Sequence, residues 1–297
     1  MSRRLTLQCA AKLNLSLDVT GKREDGYHTL ESIFQSVNVY DTIELTAEEG
    51  EGISLSCETQ GVPCDERNLA WKAAQAILDE SGKRAKISIF LKKAIPSGAG
   101  MGGGSSDAAG VLWGLNRMLE CGFSDEKLRE IGVKLGADVP FILLGGTALV
   151  EGIGEILRPM TPLHDQVKLV IVKGTDSVST PEAYKAIDAL EGPVHPDTAG
   201  AVWAVETQDT GLLAEKCANL FEAVTNCRDV NRAKRRLMDM GAMCAVMTGS
   251  GAAVFGIFPD VLPESELECV ARTLRQEFAF AQAAHPAAES FRILEEV

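Results

Sequence analysis

The run Pro96-Ser97-Gly98-Ala99-Gly100-Met101-Gly102-Gly103-Gly104-Ser105-Ser106-Asp107 places five glycines in seven positions directly ahead of a helix-patterned segment. Glycine lacks the Cβ that would block φ > 0, so backbone N–H groups in such a loop turn inward around a ligand. Ala108, Val111, Leu112, Leu115 and Leu119 then recur at helical spacing, and Ile87, Ile89 and Leu91 alternate like a strand upstream. Strand, glycine loop and helix N-terminus in that order make an anion site, above all one for phosphate. The first helical amides have no intrahelical partners, and the helix dipole favours negative charge.

Several loop types share this glycine content, and the neighbouring residues separate them. A Walker A loop requires Gly-x-x-x-x-Gly-Lys-Ser/Thr, whereas these glycines run into Ser105-Ser106 without a lysine. Gly98-x-Gly100-x-x-Gly103 satisfies the dinucleotide fingerprint of an oxidoreductase. A second helix, opened by Ser124-Asp125-Glu126, follows where that fold needs a parallel strand ending in an acid. The His-Arg-Asp and Asp-Phe-Gly marks of a protein-kinase loop are absent from the sequence.

At 297 residues the chain is long enough for two medium domains. No stretch reaches the ~20 apolar residues of a membrane span, and Met1-Ser2-Arg3-Arg4 leads into a short alternating strand without a signal core, so a cytoplasmic protein is expected. The formal net charge of −13 argues against nucleic acid as a partner. An anionic small molecule would have to be drawn by local groups such as Lys12, Lys22, Arg23, Lys92 and Lys93. Eight scattered cysteines show no Cys-x-x-Cys and no histidine pairing, so they read as reduced, mostly buried thiols.

Residues 5–10 and 13–19 read as strands, the second with Leu13, Leu15, Leu17 and Val19 on one face and Lys12, Asn14, Ser16 and Asp18 on the other. Residues 68–78 read as a helix. After the glycine loop, Gly145–Val150 reads as a turn and strand, and Pro159-Met160-Thr161-Pro162 as a connection. The boundary is set there, giving domains 1–162 and 163–297. The second half supplies helices near 181–190, 212–223, 230–240 and 264–278 and strands near 244–247 and 253–258, with least pattern from 192 to 208. That mixture predicts an antiparallel sheet with helices on one face, α+β overall.

Pro-x-Gly-x-Gly-Met-Gly-Gly-Gly-Ser-Ser-Asp-Ala, residues 96–108, resembles the second motif of the GHMP kinases, whose loop wraps the phosphates of ATP. Gly136-Ala137-Asp138-Val139-Pro140 is similar to the segment bearing the catalytic aspartate in several of them, with Gly136 read as ending a helix and Pro140 as preventing its resumption. Ala11-Lys12-Leu13-Asn14 and Arg23-Glu24-Asp25-Gly26-Tyr27-His28 resemble the branch that phosphorylates 4-diphosphocytidyl-2-C-methyl-D-erythritol in non-mevalonate isoprenoid synthesis. Met247-Thr248-Gly249-Ser250-Gly251-Ala252 resembles the third motif of the superfamily.

The resemblance implies a ribosomal-protein-S5-domain-2-like N-terminal domain, a ferredoxin-like C-terminal domain, and ATP with Mg²⁺. Asp138 would take the hydroxyl proton, and Lys12 would steady that carboxylate and the nascent alkoxide. Residues 96–106 and Asn68 would hold the nucleotide. Asn14, Tyr27, His28, Thr180, Tyr184, Gly249, Ser250 and Gly251 would hold the acceptor, with Tyr27 stacking on cytosine and His28 hydrogen-bonding it. Homoserine- and mevalonate-type acceptors are the competing reading within the superfamily, and the Gly26-Tyr27-His28 signature argues against them.

Overall fold

The computed structural model describes residues 2–297. Two long strands, β1 (Arg3–Lys22) and β2 (His28–Glu48), pair antiparallel from Arg3 opposite Ala47 to Lys22 opposite His28. Strands β3 (Gly52–Cys57) and β4 (Lys86–Lys92) run parallel, joined through helix α1 (Leu69–Ser81), and β4 pairs with β2. Helices α2 (Gly103–Met118), α3 (Asp125–Val133) and α4 (Val139–Leu144) follow, then β5 (Thr147–Gly152) and β6 (Ile156–Pro159). Beyond them lie β7 (Lys168–Lys173), α5 (Thr180–Asp188), α6 (Thr198–Glu206), α7 (Thr210–Lys216) and the two-residue β8 (Ala218–Asn219). The chain ends with α8 (Arg228–Asp239), β9 (Cys244–Met247), β10 (Val254–Phe258), α9 (Glu264–Leu274), β11 (Phe280–Ala284) and β12 (Phe291–Glu296).

These strands form two sheets. The first runs β12-β1-β2-β4-β3, with β5 on β2, β6 on β5 and β8 on β1. The second runs β11-β7-β10-β9, antiparallel throughout. Its chain order of strand, helices, two strands, helix and strand is the ferredoxin-like βαββαβ pattern. The second sheet lies wholly beyond residue 162. The first also takes β8 and β12 from beyond that point, both pairing with β1.

Bulges in β1 decide which residues reach the site. Leu5, Leu7 and Cys9 pack with α1 and α2, but an irregularity between Ala10 and Ala11 reverses the alternation, so Ala11, Leu13 and Leu15 enter the core shared by the two sheets. Lys12 and Asn14 are thereby turned to the α2 and α4 side. A second irregularity between Asn14 and Ser16 sends Leu17 and Val19 into a third cluster beneath the second sheet. The uniform face expected for 13–19 is therefore split. Ser16 and Asp18 are buried against Thr198 and His195, 3.3 Å and 2.8 Å away, and do not face the cleft.

The helix expected over 212–223 stops at Lys216. Cys217 is extended at φ −60° and ψ 122°, Ala218 and Asn219 pair with β1, and Leu220–Ala223 is a 3-10 turn. Helix α6 lies in the stretch without readable pattern, capped by Asp197, whose carboxylate accepts from the Gly200 N–H at 2.9 Å. All eight cysteines are free, but only Cys9 and Cys217 are buried, which corrects the expectation of mostly buried thiols. Among the described residues no helix is long and apolar enough to cross a membrane.

Candidate active site

The ammonium of Lys12, on the turned segment of β1, is buried, donates to Asn14 Oδ1 at 2.7 Å and lies 3.9 Å from Asp138 Oδ2. It also sits 4.7 Å from the centre of the Phe34 ring. Burial pushes its pKa below the ordinary lysine value, with the Asp138 charge pulling the other way. Asn14 is the joint of the site. Its Oδ1 accepts from Lys12 and from the Gly249 N–H at 2.9 Å, its Nδ2 donates to Ser32 Oγ at 2.9 Å, and its own N–H donates to Thr248 Oγ1 at 3.0 Å. One buried amide thus ties β1 to the turn after β9.

That turn also grips the glycine loop. Ala252 and Ala253 donate backbone N–H groups to the carbonyls of Gly98 and Ala99, each at 3.1 Å. Gly100 approaches so closely that a Cβ there would lie 2.2 Å from the Thr248 carbonyl oxygen, and its φ of +74° already favours glycine. Gly102, at φ +73°, is the N-cap of α2, and no side chain caps that helix. Its first amides stay open toward the hollow of about 210 Å³ lined by Lys93 and Ile95–Gly104. Ala99 and Met101 turn their side chains into the shared core, leaving the loop backbone to face that hollow.

Asp138 occupies the N-cap position of α4 but makes no capping bond, so its carboxylate is directed at Lys12 and the loop. Pro140 does not stop the helix as expected. It stands in the first turn of α4, where its missing N–H would be unpaired in any residue. A Cβ on Gly102 would come within 3.4 Å of Asp138 Oδ2, which places the carboxylate directly beneath the end of the loop.

A cleft of about 820 Å³ joins these groups to Tyr27, His28, Thr180 and Tyr184. His28 stacks on Tyr184 with centroids 4.5 Å apart, and Tyr184 meets Phe221 edge-on. Asp188 accepts from Lys22 Nζ at 2.6 Å and lies 2.7 Å from His28 Nε2, fixing the ring. Tyr27 is 62% exposed at the rim, a flat face with no aromatic partner. Thr180 and Ser250 share a hydroxyl contact of 2.7 Å across the cleft wall.

Not every expected residue arrives. Asn68 caps α1, accepting from the Ala70 N–H at 2.9 Å and donating to the Pro63 carbonyl at 2.7 Å, and it lines neither the cleft nor the hollow. Ser106 is buried and donates to the Ala10 carbonyl at 2.8 Å, whereas Ser105 lines the cleft. Gly251 packs against Met247 and Val178 behind the turn. Lys93 lines the hollow beside the loop, with its ammonium paired to Asp41 and Asp107. Sequence reasoning singled out neither Thr248 nor Asp188. Thr248 lies inside the third motif, but the position of Asp188, two turns along α5 from Thr180, shows only once α5 docks beside His28.

The GHMP kinases N terminal domain matches residues 68–146, and the GHMP kinases C terminal region matches residues 201–279. The chain is a GHMP kinase. It is 43% identical over 258 residues to 4-diphosphocytidyl-2-C-methyl-D-erythritol kinase of Alkaliphilus metalliredigens, covering 86% of this chain and 88% of that one. It is 42% identical over 260 residues to the Clostridium perfringens enzyme of the same name, covering 87% and 90%. A crystal structure of 4-(cytidine 5'-diphospho)-2C-methyl-D-erythritol kinase superposes with TM-score 0.79 at 30% identity, covering 97% of this chain and 99% of that one. Homoserine kinase from Cytophaga hutchinsonii has nearly the same fold at TM-score 0.77 but only 16% identity. The kinase fold therefore does not choose the acceptor.

Proposed function

We propose that this kinase transfers the γ-phosphoryl group of ATP to the 2-hydroxyl of 4-diphosphocytidyl-2-C-methyl-D-erythritol, giving ADP and the 2-phosphate for non-mevalonate isoprenoid synthesis. The observation that carries the reading is one cleft with the Lys12–Asp138 pair under the phosphate loop and the Tyr27, His28 and Tyr184 rings along its wall. A pyrimidine needs a flat face and a directional polar contact, and the fixed His28 with the exposed Tyr27 offers both. The relatives named for this substrate support the choice over homoserine or mevalonate types.

Asp138 accepts the proton of the acceptor hydroxyl as its oxygen attacks the γ-phosphorus. Lys12, held by Asn14, sets its positive charge beside that carboxylate and steadies the alkoxide that develops. The loop amides and the open N-terminus of α2 receive the phosphates. If Mg²⁺ accompanies the nucleotide, Ser105, the loop hydroxyl that lines the cleft, would help to hold it. When bound, Mg²⁺ neutralises charge on the β- and γ-phosphates.

ADP release measured across candidate alcohols tests the reading. The cytidylated alcohol is expected to be turned over far better than methylerythritol phosphate, because binding energy from the remote cytidine positions the hydroxyl. His28→Ala is expected to raise KM for the cytidylated substrate about tenfold, the cost of one good hydrogen bond, with KM for ATP little moved. Equal efficiency on the truncated alcohol, or an ATP defect in the His28 variant, would overturn the acceptor assignment.

A further inference from the structure

Lys93 has no part in the chemistry above, yet its side chain is only 9% exposed. Its ammonium contacts the carboxylates of Asp41 and Asp107 and donates to the Gly103 carbonyl at 3.2 Å. All three of its N–H donors are engaged by protein acceptors, and the residue lines the hollow beside the loop. The second oxygen of Asp41 accepts from the backbone N–H groups of Ala94 at 2.6 Å and Ile95 at 2.8 Å. Ala94 and Ile95 immediately precede the 96–102 loop, and Gly103 and Asp107 lie in the helical turns that immediately follow it. One lysine and one aspartate therefore hold both ends of the loop.

Two physical reasons favour a functional role for this arrangement. A buried ion triad contributes little stability compared with apolar residues of the same volume, because desolvation offsets the attraction, so stability alone does not account for it. The loop also carries Gly98, Gly100 and Gly102 at positive φ, residues with the largest backbone freedom to lose when a ligand is bound. Fixing both ends in advance removes part of that cost from binding.

We propose that Lys93, held between Asp41 and Asp107, is a positioning residue that clamps the two ends of the phosphate loop and thereby sets the affinity for the nucleotide triphosphate. The inference rests on the reading that this loop receives the phosphates of ATP. Its test compares wild type with Lys93→Met and with the double variant Lys93→Met, Asp107→Asn, in which Asp41 is the one carboxylate left and keeps its two backbone donors. Kinetics, ADP titration calorimetry, thermal denaturation and amide hydrogen exchange are measured on each.

Both variants are expected to weaken ADP binding and raise KM for ATP by about tenfold or more, with KM for the acceptor alcohol within about twofold. Exchange of the Ser97–Gly103 amides is expected to quicken. The double variant recovers thermal stability, having one buried carboxylate fewer to satisfy, but does not recover KM for ATP. Nucleotide affinity at the wild-type level in either folded variant, or recovery of KM together with Tm, would overturn the clamp while leaving the kinase reading intact. Wild-type protein that binds neither ATP nor ADP would instead overturn the phosphate reading of the loop, and the clamp with it.

Discussion

Lys12 and Asp138, 3.9 Å apart, come from segments 126 residues distant in sequence and meet because a bulge turns one and an unused cap position frees the other. The carboxylate is the group whose chemistry is most exposed to test. Asp138→Asn keeps shape and polarity but cannot accept a proton, so kcat is expected to fall by about 10²–10⁴ with KM for ATP little changed. Steady-state ADP release checks this, and near-wild-type turnover would reduce Asp138 to a turn carboxylate. Both residues were legible in the sequence by type and motif. Their partner Asn14 was legible as sharing the strand face with Lys12, but not as the amide through which the third motif is attached. Asp188 was illegible, since nothing in Lys185-Ala186-Ile187-Asp188 marks a side chain that fixes a histidine 160 positions away.

At the scale of elements, the loop between β4 and α2 depends on glycine for different reasons at different positions. Gly100 has both a positive φ and a neighbour, the Thr248 carbonyl, that a Cβ would strike at 2.2 Å. Gly104 has ordinary helical geometry, and its Cβ would meet only Leu69 Cδ1 at 3.7 Å. Thermal denaturation of the two alanine variants separates the cases. Gly100→Ala is expected to destabilise by about 1–3 kcal/mol or more through overpacking, and Gly104→Ala to gain up to about 1 kcal/mol from helix propensity. Equal effects would show that glycine content, not contact, governs the loop. The elements themselves were largely readable where an apolar period is regular, as in α2 and β4. Helix α6 was not, because Trp203 is 65% exposed and only Ala201, Ala204, Val205 and Thr198 are buried, so its inward face carries little hydrophobic signal.

At the scale of the whole molecule, the Asp41–Lys93–Asp107 triad puts a titration inside the fold. Burial, together with the charge of Asp41 and against the pull of Lys93, raises Asp107 to about 7 from the ordinary value of 3.8. Between those two pH values the native state binds more protons than the unfolded chain, so this group's contribution to stability is lost as pH rises from about 4 to 7 and is level above. Asp107→Asn removes the penalty while keeping an acceptor for Lys93. Its Tm is expected to exceed wild type by several degrees at pH 8, with the gap closing toward pH 4–5. A gap that does not vary with pH would place the effect outside this ionisation.

The sequence by itself marked the glycine loop, written in residues close together in the chain and governed by local sterics, and the resemblance of its motifs pointed to the kinase family and to Lys12 and Asp138 as candidates. Tertiary structure decided which face of β1 looks into the cleft, the ending of α7 at Lys216 and the return of β8 and β12 to the first sheet. It also decided that Asn68 serves a helix cap and that Lys93 binds carboxylates. The physical reason is the same throughout. Bulges, strand pairing across more than 200 residues and buried charge clusters are settled by which surfaces meet, and local propensity yields where packing and hydrogen-bond satisfaction between distant segments outweigh it.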